Sequence, residues 1–171
     1  MPKNVRCNVE DHRLLDGKKK CEDVTKIDLP TIEHPTTSVK SAGMVMDVDI
    51  PNMYHFNAME IAIHHNNGTN CRGLAKPGTH NIEARVARQN YVTSKGVVDL
   101  EVVKVRVKCS HKSTEKGSIE TGNPYGSTEK YSVLRYEEEW DGETWYLIDS
   151  SAGKIIIEGV DYSSELSSLL D

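Results

Sequence analysis

The stretch from Val97 to Cys109 limits the fold more than any other part of the chain. Eight of its residues carry branched or thiol-bearing side chains that suit a pleated surface, and most of them alternate with polar neighbours. The alternation changes phase midway. Val98, Leu100 and Val102 share one parity, and Val103, Val105, Val107 and Cys109 share the other. A β-bulge near Val102–Val103 produces such a slip, and so does a strand that leaves one sheet for another. Composition agrees with strands. Val, Ile and Thr supply 38 residues, while Ala and Leu supply 17. That balance opposes a helix bundle. The expected class is mainly β: two antiparallel sheets in a sandwich or barrel, with a small helix, in a single domain over residues 1–171.

Turn signals divide the rest into strands. Asp16-Gly17 follows Leu14-Leu15 and reads as a two-residue hairpin loop. Extended segments are expected over Lys18–Leu29, Thr31–Lys40 and Val45–Ile50, with a break at Ser41–Met44. Met53 to Ile63 is apolar on both parities, which fits a strand covered on both sides. Thr69 to Ala75 offers about two weak helical turns. Ile82, Ala84 and Val86 alternate with wetter residues. Ser110 to Thr128 holds three glycines and few apolar residues, so it is expected to be a long polar loop. The clearest hairpin is Tyr131–Trp140, Asp141-Gly142, Glu143–Asp149. A two-residue loop pairs Trp140 with Glu143, Glu138 with Trp145 and Tyr136 with Leu147. Glu137 and Glu139 then share a polar, acidic opposite face. Lys154–Glu158 adds a strand, and Ser163–Leu170 a terminal helix.

Several chemistries find no support. Cys7, Cys21, Cys71 and Cys109 include no closely spaced pair, so neither a metal site nor any other cofactor is expected. Free thiols are the simpler reading. His64-His65 cannot chelate one ion together, since strand neighbours face opposite ways; a solvated strand end is the plain account. No nucleophile elbow, phosphate loop or dinucleotide fingerprint is present, so no catalytic residue is assigned. Glu137 and Glu139 could span a glycosidase spacing, but one strand lining no cleft favours a charged face. Lys18-Lys19-Lys20 reads as an edge that discourages unwanted strand pairing. The net charge of −5 argues against a general nucleic-acid binder. No apolar run reaches the ~18 residues of a membrane helix, and Met1 to Glu10 lacks the apolar core of a signal peptide. A monomeric β-sandwich that binds carbohydrate through Trp140 and Trp145 stands as the rival from another class.

The order of short motifs resembles one known family. Leu15-Asp16-Gly17, Cys21-Glu22-Asp23-Val24 and Ile27-Asp28-Leu29-Pro30-Thr31-Ile32 are similar to the opening of the major tail tube proteins of contractile-tailed bacteriophages and phage-tail-like (R-type) bacteriocins. Ser41-Ala42-Gly43-Met44 with Val48-Asp49-Ile50 resembles their Ala-Gly-Gly-Met loop, with one glycine missing. Ala58-Met59-Glu60 matches the next strand. Asp141-Gly142-Glu143, Tyr146-Leu147-Ile148-Asp149 and Ile157-Glu158-Gly159-Val160-Asp161 resemble a shared C-terminal signature.

The resemblance implies a structural subunit without enzymatic activity. Six copies would form a ring, with one sheet of each joining a continuous inter-subunit β-barrel. Rings would stack into a hollow tube inside a sheath, and the baseplate and tail terminator would be further partners. The tube would belong to a virion tail or bacteriocin particle, be assembled in the bacterial cytoplasm, and leave its bore open to transiting DNA without binding it specifically. The loop around 41–57 would reach the neighbouring ring, with Ser41, Ala42, Gly43, Met44, Val45, Met46, Asp47, Val48, Asp49 and Ile50 as contact residues. Family lumens are acidic, which keeps DNA off the wall. Glu137 and Glu139 are the lumen-facing candidates, and Asp16, Gly17, Asp141 and Gly142 the hairpin turns.

Overall fold

The structure, a computed structural model, describes residues 4–171. Twelve strands are arranged in two antiparallel sheets among these residues. They are β1 (Asn4–Asp16), β2 (Lys19–Cys21), β3 (Val24–Asp28), β4 (Thr36–Val39), β5 (Val48–Pro51), β6 (Glu60–His65), β7 (Thr79–Val92), β8 (Val97–Glu115), β9 (Ser127–Trp140), β10 (Glu143–Asp149), β11 (Lys154–Ile157) and β12 (Val160–Asp161). A 3-10 helix spans Thr69–Ala75, and α1 spans Ser163–Leu170. The mainly β class with a small helix is as the sequence indicates, and both helical segments fall on their expected residues.

The large sheet runs β12-β11-β10-β9-β8-β7-β1-β2. It divides along β9. Residues 127–132 of β9 pair with β6, which in turn pairs with β3, whereas residues 135–140 pair with β10. Register shifts between Lys108 and Cys109, and between His111 and Ser113, bend β8 and β9 where the branches separate. The β3–β6 branch and the 3-10 helix thereby join one core with β1, β7, β8 and β9. That core holds Leu14, Ile61, Ile63, Leu74, Ile82, Val105, Val107 and Tyr131, all buried. β4 and β5 form a separate two-stranded ribbon in which every residue is exposed.

Five sequence expectations need correction. The first hairpin loop is Gly17-Lys18, because Asp16 is still in register opposite Lys19 and its carboxylate accepts from His80 Nδ1 at 2.8 Å. Gly17 takes the positive φ of 65° that the turn demands. The phase change in β8 is not a bulge against β7: pairing is unbroken from Thr79–Ser110 to Val92–Val97. The loop expected over 110–128 shrinks to 116–126, since polar residues of β8 and β9 extend the ladder through Thr114–Glu129 and Glu115–Lys130 contacts. The strand expected over Met53–Ile63 starts only at Glu60 and runs on to His65; residues ahead of it are tied back through Asn52 N–H to Pro35 O and Asn57 N–H to Glu33 O. In the last hairpin, Asp141-Gly142 is the loop as expected, with φ of 49° and 89°. Beyond Thr144, however, Trp145 bulges out and the register moves by one, pairing Glu138 with Tyr146 and Tyr136 with Ile148.

Candidate assembly surface

Beyond the core, β1, β7 and β8 continue as a three-stranded ribbon whose two faces exchange character. Along β8 the inward side chains are Val103, Val105, Val107 and Cys109, then Glu101, with exposed Asp99 next on the same face. Glu101 is buried and holds Arg88 at 2.8 Å and Arg6 at 3.4 Å. Arg88 also lies 4.7 Å over the ring of Trp140. Burial raises the Glu101 carboxyl, but the Arg88 and Arg6 hydrogen bonds outweigh it and leave the net shift downward. The other face of the ribbon is mainly apolar. Val5, Tyr91 and Val98 form one cross-strand row, Gln89 and Leu100 the next, and Asp11, Ala87 and Val102 the third, where the face turns polar. Leu100 is 68% exposed and Val98 50%. Burying such a side chain is worth about 1.5–3 kcal/mol, and a contiguous exposed apolar face marks an interaction surface.

Both long edges of this ribbon are open. β8 pairs with β9 only from Val103 onward, so residues 97–101 have β7 on one side and no strand on the other. β1 pairs with β2 only from Leu14, so residues 4–13 likewise present one unpaired edge. Such edges invite another chain unless they are blunted. The β1 and β8 strands run parallel on opposite sides of β7.

The second projecting element is the β4–β5 ribbon. Lys40 and Asp47 close its tip with an ion pair at 3.3 Å, and Met44 N–H donates to Ser41 O at 3.1 Å. Gly43 sits at a φ of 89°, so one glycine suffices for the turn. Met44, Val45 and Met46 stand in solvent, and Val48, Asp49 and Ile50 belong to β5. Beyond β5, Tyr54 donates its hydroxyl to Glu165 Oε2 of α1 at 3.0 Å.

Glu137 and Glu139 do share a face of β9, but that face is not acidic. Register places Arg106 opposite Glu137 and Lys104 opposite Glu139, and the Arg106 guanidinium reaches both carboxylates: its Nη1 is 3.3 Å from Glu137 and 3.0 Å from Glu139. The Glu139 hydrogen bond, partly opposed by burial, raises the Arg106 pKa. Arg135 adds contacts to Glu137 at 3.0 Å and Asp149 at 3.5 Å. The rings of Trp140 and Trp145 meet at a tilt, their centroids 4.5 Å apart, and Trp140 packs against the core.

Sequence reasoning missed one group entirely. His65 is not a solvated strand end. It is buried, and it faces Glu129 at 3.4 Å. Glu129 also accepts from His111 at 2.8 Å and Thr114 at 2.5 Å. The rings of His111 and His80 meet Tyr131 edge-on at 5.4 and 5.3 Å, and the Tyr131 hydroxyl donates to Leu74 O at 2.6 Å. These residues are far apart in sequence, and only the β6–β9–β8 register joins them.

A β-subunit with two open edges, an apolar ribbon face and a projecting hairpin is built to assemble with copies of itself. The family model for phage tail tube protein FII matches residues 12–170, and the chain belongs to that family. It is a tail tube structural subunit rather than a carbohydrate-binding module, and thus a component of a phage tail or contractile injection particle. Among solved structures, a chain of the PVC sheath–tube complex, an extracellular contractile injection system in its extended state, has the same fold at a TM-score of 0.54. It is 11% identical, and the match covers 77% of this chain and 90% of that one. No curated protein matches. No helix among the described residues is long and apolar enough to cross a membrane.

Proposed function

We propose that the chain closes into hexameric rings by pairing the open β8 edge of one copy with the open β1 edge of the next, continuing one β-barrel around the ring. The observation that carries this reading is the ribbon itself, with its two open edges and an apolar face that its own chain leaves uncovered. Barrel closure removes such edges. Rings then stack through the β4–β5 ribbon, whose Ser41–Ile50 segment and following residues to Asn57 reach the adjacent ring. Its Met44-Val45-Met46 tip, exposed among the described residues, supplies apolar contact at low structural cost. The stack is the inner tube of a contractile tail or headless bacteriocin, assembled in the bacterial cytoplasm, enclosed by sheath, and ended by baseplate and terminator proteins. Its role is mechanical and not enzymatic. The PVC chain of like fold comes from a sheath–tube complex, which supports the sheath as partner. Glu137 and Glu139, on the outward face of the main sheet, are the wall residues of this reading.

Electron microscopy of the purified chain with sedimentation tests it. Rings or tubes about one subunit deep support it; a compact monomer at high concentration refutes it. In tubes with exposed Cys7 changed to Ser, Glu137→Cys and Glu139→Cys should label slowly with bulky thiol reagents. Rapid labelling would remove both residues from the lumen.

A further inference from the structure

We propose that the Lys18–Lys20 turn of one copy docks, at the lateral contact of the ring, in a hollow of tryptophans and carboxylates on the next copy. The hollow, about 630 Å³, is lined by Trp140, Glu143, Thr144, Trp145, Glu158 and Gly159. Its charged lining residues are the two glutamates, and neither forms an ion pair among the described residues. Glu143 stands opposite Trp140 where β10 leaves the hairpin loop. The bulge at Trp145 turns its indole against Trp140, the ring centroids 4.5 Å apart. Glu158 takes a φ of 53°, and its N–H donates to Trp145 O at 2.8 Å. Carboxylates beside indole rings suit an ammonium group, which both attract. Arg88 lies 4.7 Å over the Trp140 ring, but its guanidinium is held by Glu101, so Glu143 and Glu158 keep their charge.

The complementary group stands at the other end of the sheet. Lys18, Lys19 and Lys20 are exposed and form no ion pair among the described residues. Their turn is held in place: Gly17 N–H donates to Asn81 O at 2.8 Å, and Asp16, opposite Lys19, accepts from His80 at 2.8 Å. The sheet order β12-β11-β10-β9-β8-β7-β1-β2 puts the lysines at one lateral end and Glu143 and Glu158 toward the other. A head-to-tail ring brings such opposite ends together.

This contact rests on the ring reading and fixes its register. β1 and β8 run parallel, so their open edges are blocked at the same end. The β1 edge is open up to Arg13, where β2 begins beside Leu14. The β8 edge is open up to Glu101, since Val102 O already accepts the Asp141 N–H at 2.9 Å. A neighbour's β1 laid along this edge cannot pass Glu101, because the β9–β10 hairpin fills the place. The end of that β1, with its lysine turn, therefore meets the hairpin that carries the hollow. Lys19 shares the core-side face with Cys21 and Leu14, and Trp140 and Glu143 stand on that same side of the sheet.

Sedimentation of the full chain over a range of concentrations, with electron microscopy, tests the contact. Reversing either side, as K18E/K19E/K20E or E143K/E158K, should raise the concentration at which rings form at least about tenfold. Combining the two sets should restore it, and added salt should weaken assembly of the parent. In rings with Cys7 changed to Ser, Lys19→Cys with Glu143→Cys should let a short bis-maleimide join neighbouring copies into a covalent ladder on a denaturing gel. Rings that form at the parent concentration in both reversals, reversals that the combined variant does not rescue, or rings that do not cross-link overturn this contact and leave ring closure standing. A parent chain that never forms rings overturns both.

Discussion

Replacing Glu129 by Gln probes the buried network that sequence reasoning missed. The side chain is 1% exposed, and its carboxylate takes hydrogen bonds from Thr114 at 2.5 Å and His111 at 2.8 Å, with His65 at 3.4 Å. An amide keeps the shape, but one acceptor oxygen becomes a donor. At least one charge-assisted hydrogen bond is lost, worth about 1.5–3 kcal/mol, and a buried donor is left facing another donor. A total near 3 kcal/mol follows, or roughly 6–12 °C in Tm for a chain of this size. The pH dependence adds a second readout. Burial pushes the Glu129 carboxyl up, but the bonds from Thr114, His111 and His65 outweigh it, so the folded value lies below the ordinary 4.5. A depressed carboxylate contributes stability that is complete above the unfolded value and is lost as pH falls through the folded one. The parent should therefore lose stability more steeply than E129Q below about pH 4.5. Urea unfolding followed by tryptophan fluorescence reads both, at one fixed protein concentration, because assembly adds stability by mass action. If E129Q unfolds within about 0.5 kcal/mol of the parent, or the two acid limbs coincide, the network does not hold the β6–β8–β9 junction.

Further outcomes are expected elsewhere. Tyr131→Phe removes the donor to Leu74 O and should cost about 1–3 kcal/mol in the same unfolding assay. Cys7 should react with thiol reagents at once, whereas Cys71 and Cys109 should wait for unfolding: both are buried, and burial pushes their pKa values to about 11 and about 12; mass-resolved labelling decides. Gly142→Ala forces a side chain into a φ of 89° and should destabilise the last hairpin by roughly 1–2 kcal/mol in thermal melts.

Local chemistry made part of this fold legible. Asp141-Gly142 fixed its loop because both residues tolerate positive φ, and Ser163–Leu170 could be read because its leucines recur at helical spacing while Asp161 accepts from the Ser163 and Ser164 N–H groups. What the sequence hid was decided across strands. The register of the last hairpin failed past Thr144 because Trp145 leaves the ladder and packs at a tilt against Trp140 and Tyr146, each 4.5 Å away. The segment 110–128 looked like a loop because its residues are polar; opposite them lie Glu129 and Lys130, and the cross-strand bonds make strand of polar sequence. The acidic face read from Glu137 and Glu139 failed for the same reason, since Arg106 on the neighbouring strand cannot be placed against them without the register.

The phase change in β8 is the feature on which fold and assembly meet. A bulge would have returned Val98, Leu100 and Val102 to the same core as Val103 to Cys109, but the β7–β8 pairing contains none. The strand stays straight in register while its apolar side moves from one face to the other. At the core end, inward valines meet Leu14, Ile61 and Ile82. At the ribbon end the inward face closes on itself through Glu101, Arg88 and Arg6, and the apolar residues look outward. No rearrangement within one chain buries both sets, because successive residues of a strand point to opposite faces and a slip of one would expose the core instead. The second apolar face therefore needs a surface that the chain does not supply to itself. Its open edges, parallel and on opposite sides of β7, present that surface to a neighbour in the same orientation. In the proposed ring that heterologous contact repeats around an axis, and closure leaves no edge behind.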